Sequence, residues 1–261
     1  MTAAKIAAIT SRDNPLLARL RRLNRQPDAY RKLGQVWLEG EQVCRAALRA
    51  GRMIDQAVIG EAAWDAAGLR RLASAATRVA ILPDALMASL SPLETPAPVA
   101  FVAGWPGIGS LRADAPSLVL DRLQDAGNVG TILRSAAAFG FSQVIALEGT
   151  AALWAPKVVR AAMGAHFALD LVERARSADL DALRMPLFAT SSHAKDALHA
   201  AALPWPCAWA FGNEGQGIEP DLLGRCDATL RIAQPGGEES LNVAVAAAVC
   251  MYESTRQRLR T

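Results

Sequence analysis

Between residues 117 and 258, short apolar runs alternate with longer stretches of helical periodicity. This alternation constrains the fold more than any other feature of the chain. "SLVL" (117–120) reads as a buried strand, and "VGTILRSAAAF" (129–139) places apolar residues at helical spacing. A polar turn, "DRLQDAGN", joins them. Strand candidates follow at 117–121, 143–147, 168–172, 186–190, 206–212 and 227–232, with helices between them and a long apolar helix over 240–258. Such alternation predicts an α/β domain with a mostly parallel sheet covered on both faces. In that architecture ligands sit at the C-terminal ends of the strands.

The first hundred residues form a smaller α/β unit. Asn14 can cap a helix whose first position suits Pro15. Leu16, Leu17, Leu20 and Leu23 share one face of that helix. "QVWLEG", "MIDQAVI", "TRVAIL" and "PAPVAFVAGW" read as strands, and "EQVCRAALRAG", "AAWDAAGLRRLASAA" and "PDALMASL" as helices. The Gly- and Pro-rich stretch "WPGIGSLRADAP" (105–116) reads as a linker. The expected organisation is an N-terminal unit over 1–104, the linker, and a second domain over 117–261. With 261 residues and 52% hydrophobic content, two cores are feasible.

No apolar run approaches the roughly 18–20 residues of a membrane span. "MTAAKIAAITSRDNPLL" lacks the basic and apolar regions of a secretory signal, so a cytoplasmic protein is expected. Four cysteines with no C-x-x-C pair and three scattered histidines predict reduced, mostly buried thiols and no metal site. The net charge is +3, yet residues 1–40 alone carry +5. This cationic front, with Arg19, Arg21, Arg22, Arg25, Arg31 and Lys32, suits a polyanionic partner, though a merely solvated face has the same pattern.

Three polar loops follow strands: "DRLQDAGNVGTILRS", "FGNEGQGIEP" and "IAQPGGEESLNVAVAAA". In the second, Gly212, Gly215 and Gly217 run G-x-x-G-x-G, which matches neither phosphate-binding fingerprint. The glycines suit either a tight turn or close approach to a ligand. Glu214 among them favours a cationic or hydroxyl-bearing ligand. Ser240 is placed to cap the last helix, and Asn242 in its first turn needs partners if buried. Thr131 and Arg134 share a helix face. Arg134 is either a surface arginine or a residue facing an anion in a solvent-filled cleft.

Taken together and in this order, the loops resemble the SpoU/TrmH family of RNA ribose 2′-O-methyltransferases. The family pattern N-x-G-[TA]-I-x-R is similar to "NVGTILRSA", and the second and third motifs to "GNEGQGI" (212–218) and "SLNVAVA" (240–246). "APKVVRAAMGAHF" (155–167) is similar to a further family stretch. "VWLEGEQVCRAAL" (36–48) resembles the start of a substrate-binding domain folded like a ribosomal RNA-binding protein. The resemblance implies a C-terminal domain with a deep trefoil knot, a homodimer formed through it, and S-adenosylmethionine as methyl donor. It implies that Arg134, Asn128, Glu214, Ser240 and Asn242 serve catalysis, and that Thr190, Gly212, Gly217, Ile232 and Leu241 meet the cofactor. The substrate it implies is RNA, with 23S ribosomal RNA favoured over tRNA. A non-catalytic RNA-binding or ribosome-assembly factor on the same fold is the alternative. One departure stands out: many relatives have I-P-M where this chain has Ile232, Ala233 and Gln234.

Overall fold

The computed structural model describes residues 4–236 and 241–260. Contacts divide the chain into two units: Met1–Gly107 together with Trp154–Phe167, and Ile108–Leu153 together with Ala168–Thr261. In chain order the first contributes β1 (Lys5–Ala8), α1 (Pro15–Arg25), α2 (Ala29–Leu33), β2 (Gln35–Glu39), α3 (Glu41–Arg49), β3 (Ile54–Gly60), α4 (Glu61–Asp65), α5 (Ala67–Ala73), β4 (Arg78–Leu82), α6 (Asp84–Leu90) and β5 (Val99–Gly104). Next come β6 (Ser117–Leu120), α7 (Ala126–Phe139), β7 (Gln143–Leu147) and α8 (Pro156–Ala162). The chain ends with β8 (Asp170–Ala175), β9 (Leu187–Thr190), β10 (Asp196–Ala197), β11 (Ala208–Phe211), α9 (Pro220–Leu223), β12 (Ala228–Arg231) and α10 (Val243–Arg258).

The first unit is built on a mixed sheet of order β1-β4-β3-β5-β2, in which β5 runs antiparallel to both neighbours. Helix α1 forms as its sequence dictates. Asn14 Oδ1 accepts from Leu16 N at 2.9 Å, Pro15 opens the helix, and Leu17, Leu20 and Leu23 are buried. Strand β1 lies outside the sequence expectation. All four of its residues are exposed, so no hydrophobic alternation marks it. Its backbone bonds to β4 hold it in place. The single helix expected near residues 62–76 is two, parted at Ala66, whose ψ of 112° leaves the helical range.

The helix α8 segment corrects the expected boundary at residue 117, because it packs within the first unit. Arg160 Nη1 reaches Glu39 Oε2 at 3.0 Å and Asn24 Oδ1 at 3.4 Å. Asn24 and Glu39 are buried, and Arg160 shields the Glu39 charge from an apolar surround. Gly164, at φ +92°, lies so close to Ala46 that a Cβ would overlap it. That contact accounts for the glycine of "MGAHF".

The second unit is a seven-stranded sheet of order β10-β12-β9-β11-β6-β7-β8, with every pairing parallel. Strands β6, β7 and β11 are buried along their whole length, as a two-sided parallel sheet requires. One face carries a core that includes Val119, Ile145, Val172, Leu187, Ala210 and Leu222. On the other, α7 and α10 contribute buried Ile132, Leu133, Ala136, Ala247 and Met251, and Trp209 Nε1 donates to Ser254 Oγ at 2.9 Å. The expected linker is split between the units, and its second part is held fast. Glu173 N donates to Ile108 O at 2.8 Å, and the buried Gln143 side chain bonds the backbone of Arg112 in both directions. All four cysteines are free thiols, three of them buried. Among the described residues, no helix is long and apolar enough to cross a membrane.

Candidate functional site

In the second unit the chain runs from β6 outward through β7 to β8, then returns to the other side of β6 for the remaining strands. The C-terminal ends of β6, β11, β9 and β12 therefore bring four loops to the point where the strand order reverses. Asp125 caps α7 by accepting from Asn128 N at 2.8 Å. Asn242, rather than Ser240, caps α10, its Oδ1 accepting from Ala244 N at 2.9 Å and Val245 N at 3.3 Å. Ser240 lies outside the described residues.

A chain of side-chain bonds links the first three motifs. The Asn242 oxygen is committed to two backbone amides, so its amide nitrogen must donate, and it does so to Asn128 Oδ1 at 3.0 Å. Asn128 in turn has its nitrogen left to donate, and Glu214 Oε1 accepts it at 3.1 Å. The network itself thus fixes both amide orientations. Glu214 also accepts from the backbone amides of Gln124 and Asp125, each at 3.3 Å. Partial burial opposes its ionisation. The bonds from Asn128 and from backbone amides outweigh that cost and hold the carboxyl below its usual range.

The loops after β9, β11 and β12, with the start of α10, wall a cleft of about 620 Å³, a volume suited to a nucleoside-sized ligand; no residue of the first motif lines it. Thr190, Gly212, Gly217, Ile232 and Leu241 all line it, as do Glu214 and Asn242. Gly212 has no room for a side chain, because a Cβ would overlap the backbone of Gly217 and Ile218. Gly217 sits at φ +71°, and Asn213 and Gly217 exchange backbone bonds of 3.0 and 2.8 Å. The glycine loop is thus both a tight turn and a cleft wall.

Arg122 is a structural member of this site that the sequence did not announce. It adopts φ 56°, a conformation L-residues seldom hold. Its guanidinium pairs with the buried Asp121 through Nε at 2.9 Å and reaches Gln216 at 3.0 Å and Glu219 at 2.8 Å. Its carbonyl accepts from Asn213 Nδ2 at 2.9 Å. The first loop and the glycine loop are thereby clasped together. The adjacent Asp121 and Arg122 after a strand were the available signal, but the left-handed backbone was not legible.

Arg134 stands apart from the cleft. It is exposed on α7, near the exposed Thr131, and makes no side-chain hydrogen bond or ion pair among the described residues. In the first unit the expected RNA-facing residues fall into two groups. Arg19 bonds Gln35, Arg21 bonds Ser89 Oγ and Arg12 O, Arg22 bonds Gln26, and Arg25 bonds Ser89 O. Those acceptors are neutral, so the positive charge stays available. Arg31 is half-buried with its guanidinium over the Tyr30 ring at 5.1 Å, while Lys32 is exposed. No group of three or more His, Cys, Asp or Glu side chains converges on a metal position among the described residues.

Known proteins resemble this chain over most of its length. An uncharacterized tRNA/rRNA methyltransferase of Synechocystis is 32% identical, over 97% of this chain and 95% of its own. The 23S rRNA (guanosine(2553)-2′-O)-methyltransferase of Bacillus subtilis is 29% identical over 82% of this chain and 86% of its own. A crystal structure of an RNA 2′-O ribose methyltransferase superposes with a TM-score of 0.82 and 32% identity, covering 97% of this chain and all of the other. Residues 115–252 match the SpoU rRNA Methylase family, and they contain every loop that meets at the cleft. The chain belongs to that family.

Proposed function

We infer that this chain transfers a methyl group from S-adenosylmethionine to a ribose 2′-OH of RNA, with 23S ribosomal RNA favoured over tRNA. The observation that carries the reading is the bonded line Asn242–Asn128–Glu214, which ties the first motif to the two motifs that wall the cleft. The cleft fits the donor. It combines glycine backbone and apolar side chains with a carboxylate held ionised, which suits a cationic nucleoside. When bound, S-adenosylmethionine supplies a methyl group already activated on a sulfonium.

The protein's own task is alignment and charge management. Thr190, Gly212, Gly217, Ile232 and Leu241 would hold the donor in one pose, which removes much of the entropic barrier to attack. Arg134 would hold the RNA phosphate beside the target ribose or stabilise the negative charge developing on the 2′-oxygen. It would not act as a base, because a guanidinium does not give up its proton in proteins, and the 2′-OH proton would leave to solvent water. Asn128, Glu214 and Asn242 keep the loops in register, and Ser240 is proposed to bind ribose or phosphate. The 2′-OH makes RNA rather than DNA the acceptor. A ribosomal substrate also supports a cytoplasmic location.

Two finer readings belong with this one. We propose that the C-terminal segment threads a trefoil knot, as the resemblance to the SpoU/TrmH family implies. We propose also that the chain is a homodimer through this unit. Val245, Val249 and Tyr252 form an exposed apolar stripe along α10, with Val245 51% and Tyr252 55% exposed. The first unit, with its basic helix, would capture RNA.

The test is methyl transfer from labelled S-adenosylmethionine to protein-free 23S rRNA and to tRNA, followed by mapping of the modified nucleotide. Label at a single ribose of 23S rRNA is expected. Donor binding with no label in either RNA would instead favour the non-catalytic assembly factor.

A further inference from the structure

A chain continuing as a strand beyond β6 would send the side chains of Asp121 and Arg122 to opposite faces. They meet instead. At Arg122 the φ of 56° leaves the extended range, and its guanidinium pairs with the buried carboxylate of its own neighbour, Nε to Oδ1 at 2.9 Å and Nη2 to Oδ2 at 3.3 Å. From there Nη1 reaches Gln216 Oε1 at 3.0 Å and Glu219 Oε1 at 2.8 Å. Asp121 Oδ2 also accepts from Glu219 N at 2.8 Å. A third loop, after β7, seats the arginine. The Arg122 N–H donates to Thr150 Oγ1 at 3.0 Å, and a Cβ on Gly149 would come within 3.1 Å of Arg122 Cγ. A left-handed residue other than glycine persists only where its surroundings over-determine it, and such residues gather at functional sites.

We propose that Arg122 is a positioning residue whose guanidinium holds the glycine loop in the form that receives the methyl donor, a role that rests on the S-adenosylmethionine reading above. Inside the loop, Asn213 Oδ1 accepts from Gly215 N and Gln216 N, each at 3.0 Å, while Asn213 and Gly217 pair through their backbones. Those bonds give the loop a shape but do not fix where it stands. Arg122 supplies the placement. Its carbonyl accepts the Asn213 side-chain amide at one end of the loop, and its guanidinium takes Gln216 and Glu219 at the other. Gln216 and Gly217 line the cleft whereas Arg122 does not, so the arginine acts through the loop rather than on the donor. Such a residue works on populations. Apparent affinity falls in proportion to the fraction of time the loop spends in its binding-competent form. Arginine suits the task because its planar fork meets several acceptors in fixed geometry, which the point charge of a lysine cannot do.

Two measurements on the full chain test this: amide hydrogen exchange at the glycine loop, and calorimetric titration with S-adenosylhomocysteine. Arg122→Gly keeps the left-handed backbone without strain and removes the guanidinium. Arg122→Lys keeps a positive charge beside Asp121 and loses the fork. In the native chain the bonded amides of Asn213 and Gly217 should be protected before any ligand is added. In Arg122→Gly they should lose most of that protection and recover it at saturating S-adenosylhomocysteine. The affinity should be about tenfold weaker, as for a loop in place about a tenth of the time. Amides of β6 should exchange as in the native chain, and Arg122→Lys should fall between the two. If the glycine variant does not fold, the lysine variant decides alone, since it leaves the buried Asp121 paired. Native affinity and native loop protection in the variants would overturn the proposal. Faster exchange in β6 as well as in the loop would also overturn it, because the arginine would then only stabilise the fold. Loop protection lost with affinity unchanged would do the same, since placing the loop would not matter to the donor. Failure of the native chain to bind S-adenosylhomocysteine is a separate result, which would remove the donor reading itself and this inference with it.

Discussion

The polar groups at the cleft and the basic groups on α1 differ in what they already hold. Asn242, Asn128 and Glu214 have their hydrogen-bonding capacity committed to one another and to backbone amides. The arginines of α1 bond neutral acceptors and keep their charge available. The first arrangement fixes loop geometry before any ligand arrives, which lowers the ordering cost of binding a small molecule. The second suits a long polyanion, whose binding draws on charge more than on shape. Arg134 sits in the second unit but behaves like the α1 residues, exposed and unengaged among the described residues.

The largest expected effect follows from that last contrast. Arg134→Ala should lower methyl transfer by roughly 10²–10³-fold, the range for losing one group aimed at developing charge. S-adenosylhomocysteine affinity should change little, because Arg134 does not line the cleft. Single-turnover transfer and calorimetry on the same preparation separate the two quantities. Near-native turnover would place Arg134 with the solvated surface arginines.

Gly212→Ala tests the rigidity of the cleft side. Its Cβ would overlap the backbone of Gly217 and Ile218, so the loop must shift. A cost of roughly 1–3 kcal/mol is expected in a denaturant titration, as for other overpacked sites. Gly215→Ala is the control. Its nearest neighbour there would be Asn213 Oδ1 at 3.7 Å, an ordinary contact, and its cost should stay within about 0.5 kcal/mol. Equal costs would mean that the glycine loop yields easily and is not a preformed wall.

The same contrast separates what the sequence disclosed from what it did not. The strand–turn–helix alternation was legible because a two-sided parallel sheet demands unbroken apolar runs, as in "SLVL". The cap at Asn14 was legible because its chemistry is local. Strand β1 was not, since its four exposed residues are held by backbone bonds alone. The packing of α8 in the first unit depends on Arg160 meeting Glu39, residues 121 positions apart, and local periodicity carries no sign of it. Asn242 was singled out as a buried-polar problem. That it would take the cap from Ser240 depended on where the helix starts, which is set by α10 packing against α7. The candidate cleft residues were recognisable through motif order, but their shared wall required the strand order β12-β9-β11.

On the basic side, replacing Arg21, Arg22 and Arg25 together by Ala should weaken RNA binding and flatten its salt dependence. Each arginine that engages a phosphate adds about 0.7 to the slope of log affinity against log salt for single-stranded RNA. Donor binding should be untouched, because none of the three lines the cleft. An unchanged slope would make α1 a solvated face.

The smallest effect sharpens the description of Glu214. Its hydrogen-bond partners Asn128 Nδ2 and the amides of Gln124 and Asp125 are all donors. Glutamine at this position would turn an amine toward at least one of them, so Glu214→Gln should lower the thermal midpoint near neutral pH. Because the folded carboxyl titrates below its ordinary value of 4.5, its stabilising contribution is full above that value. The contribution disappears as pH falls through the lower, folded value. The gap in thermal midpoint between the native chain and the variant should therefore be constant from about pH 7 down to about pH 5 and close below it. The gap will be modest, since Glu214 is exposed and solvent screens its bonds. A gap of the same size at about pH 3 would show that the carboxylate's charge does not hold Asn128. The cleft would then owe its order to shape alone.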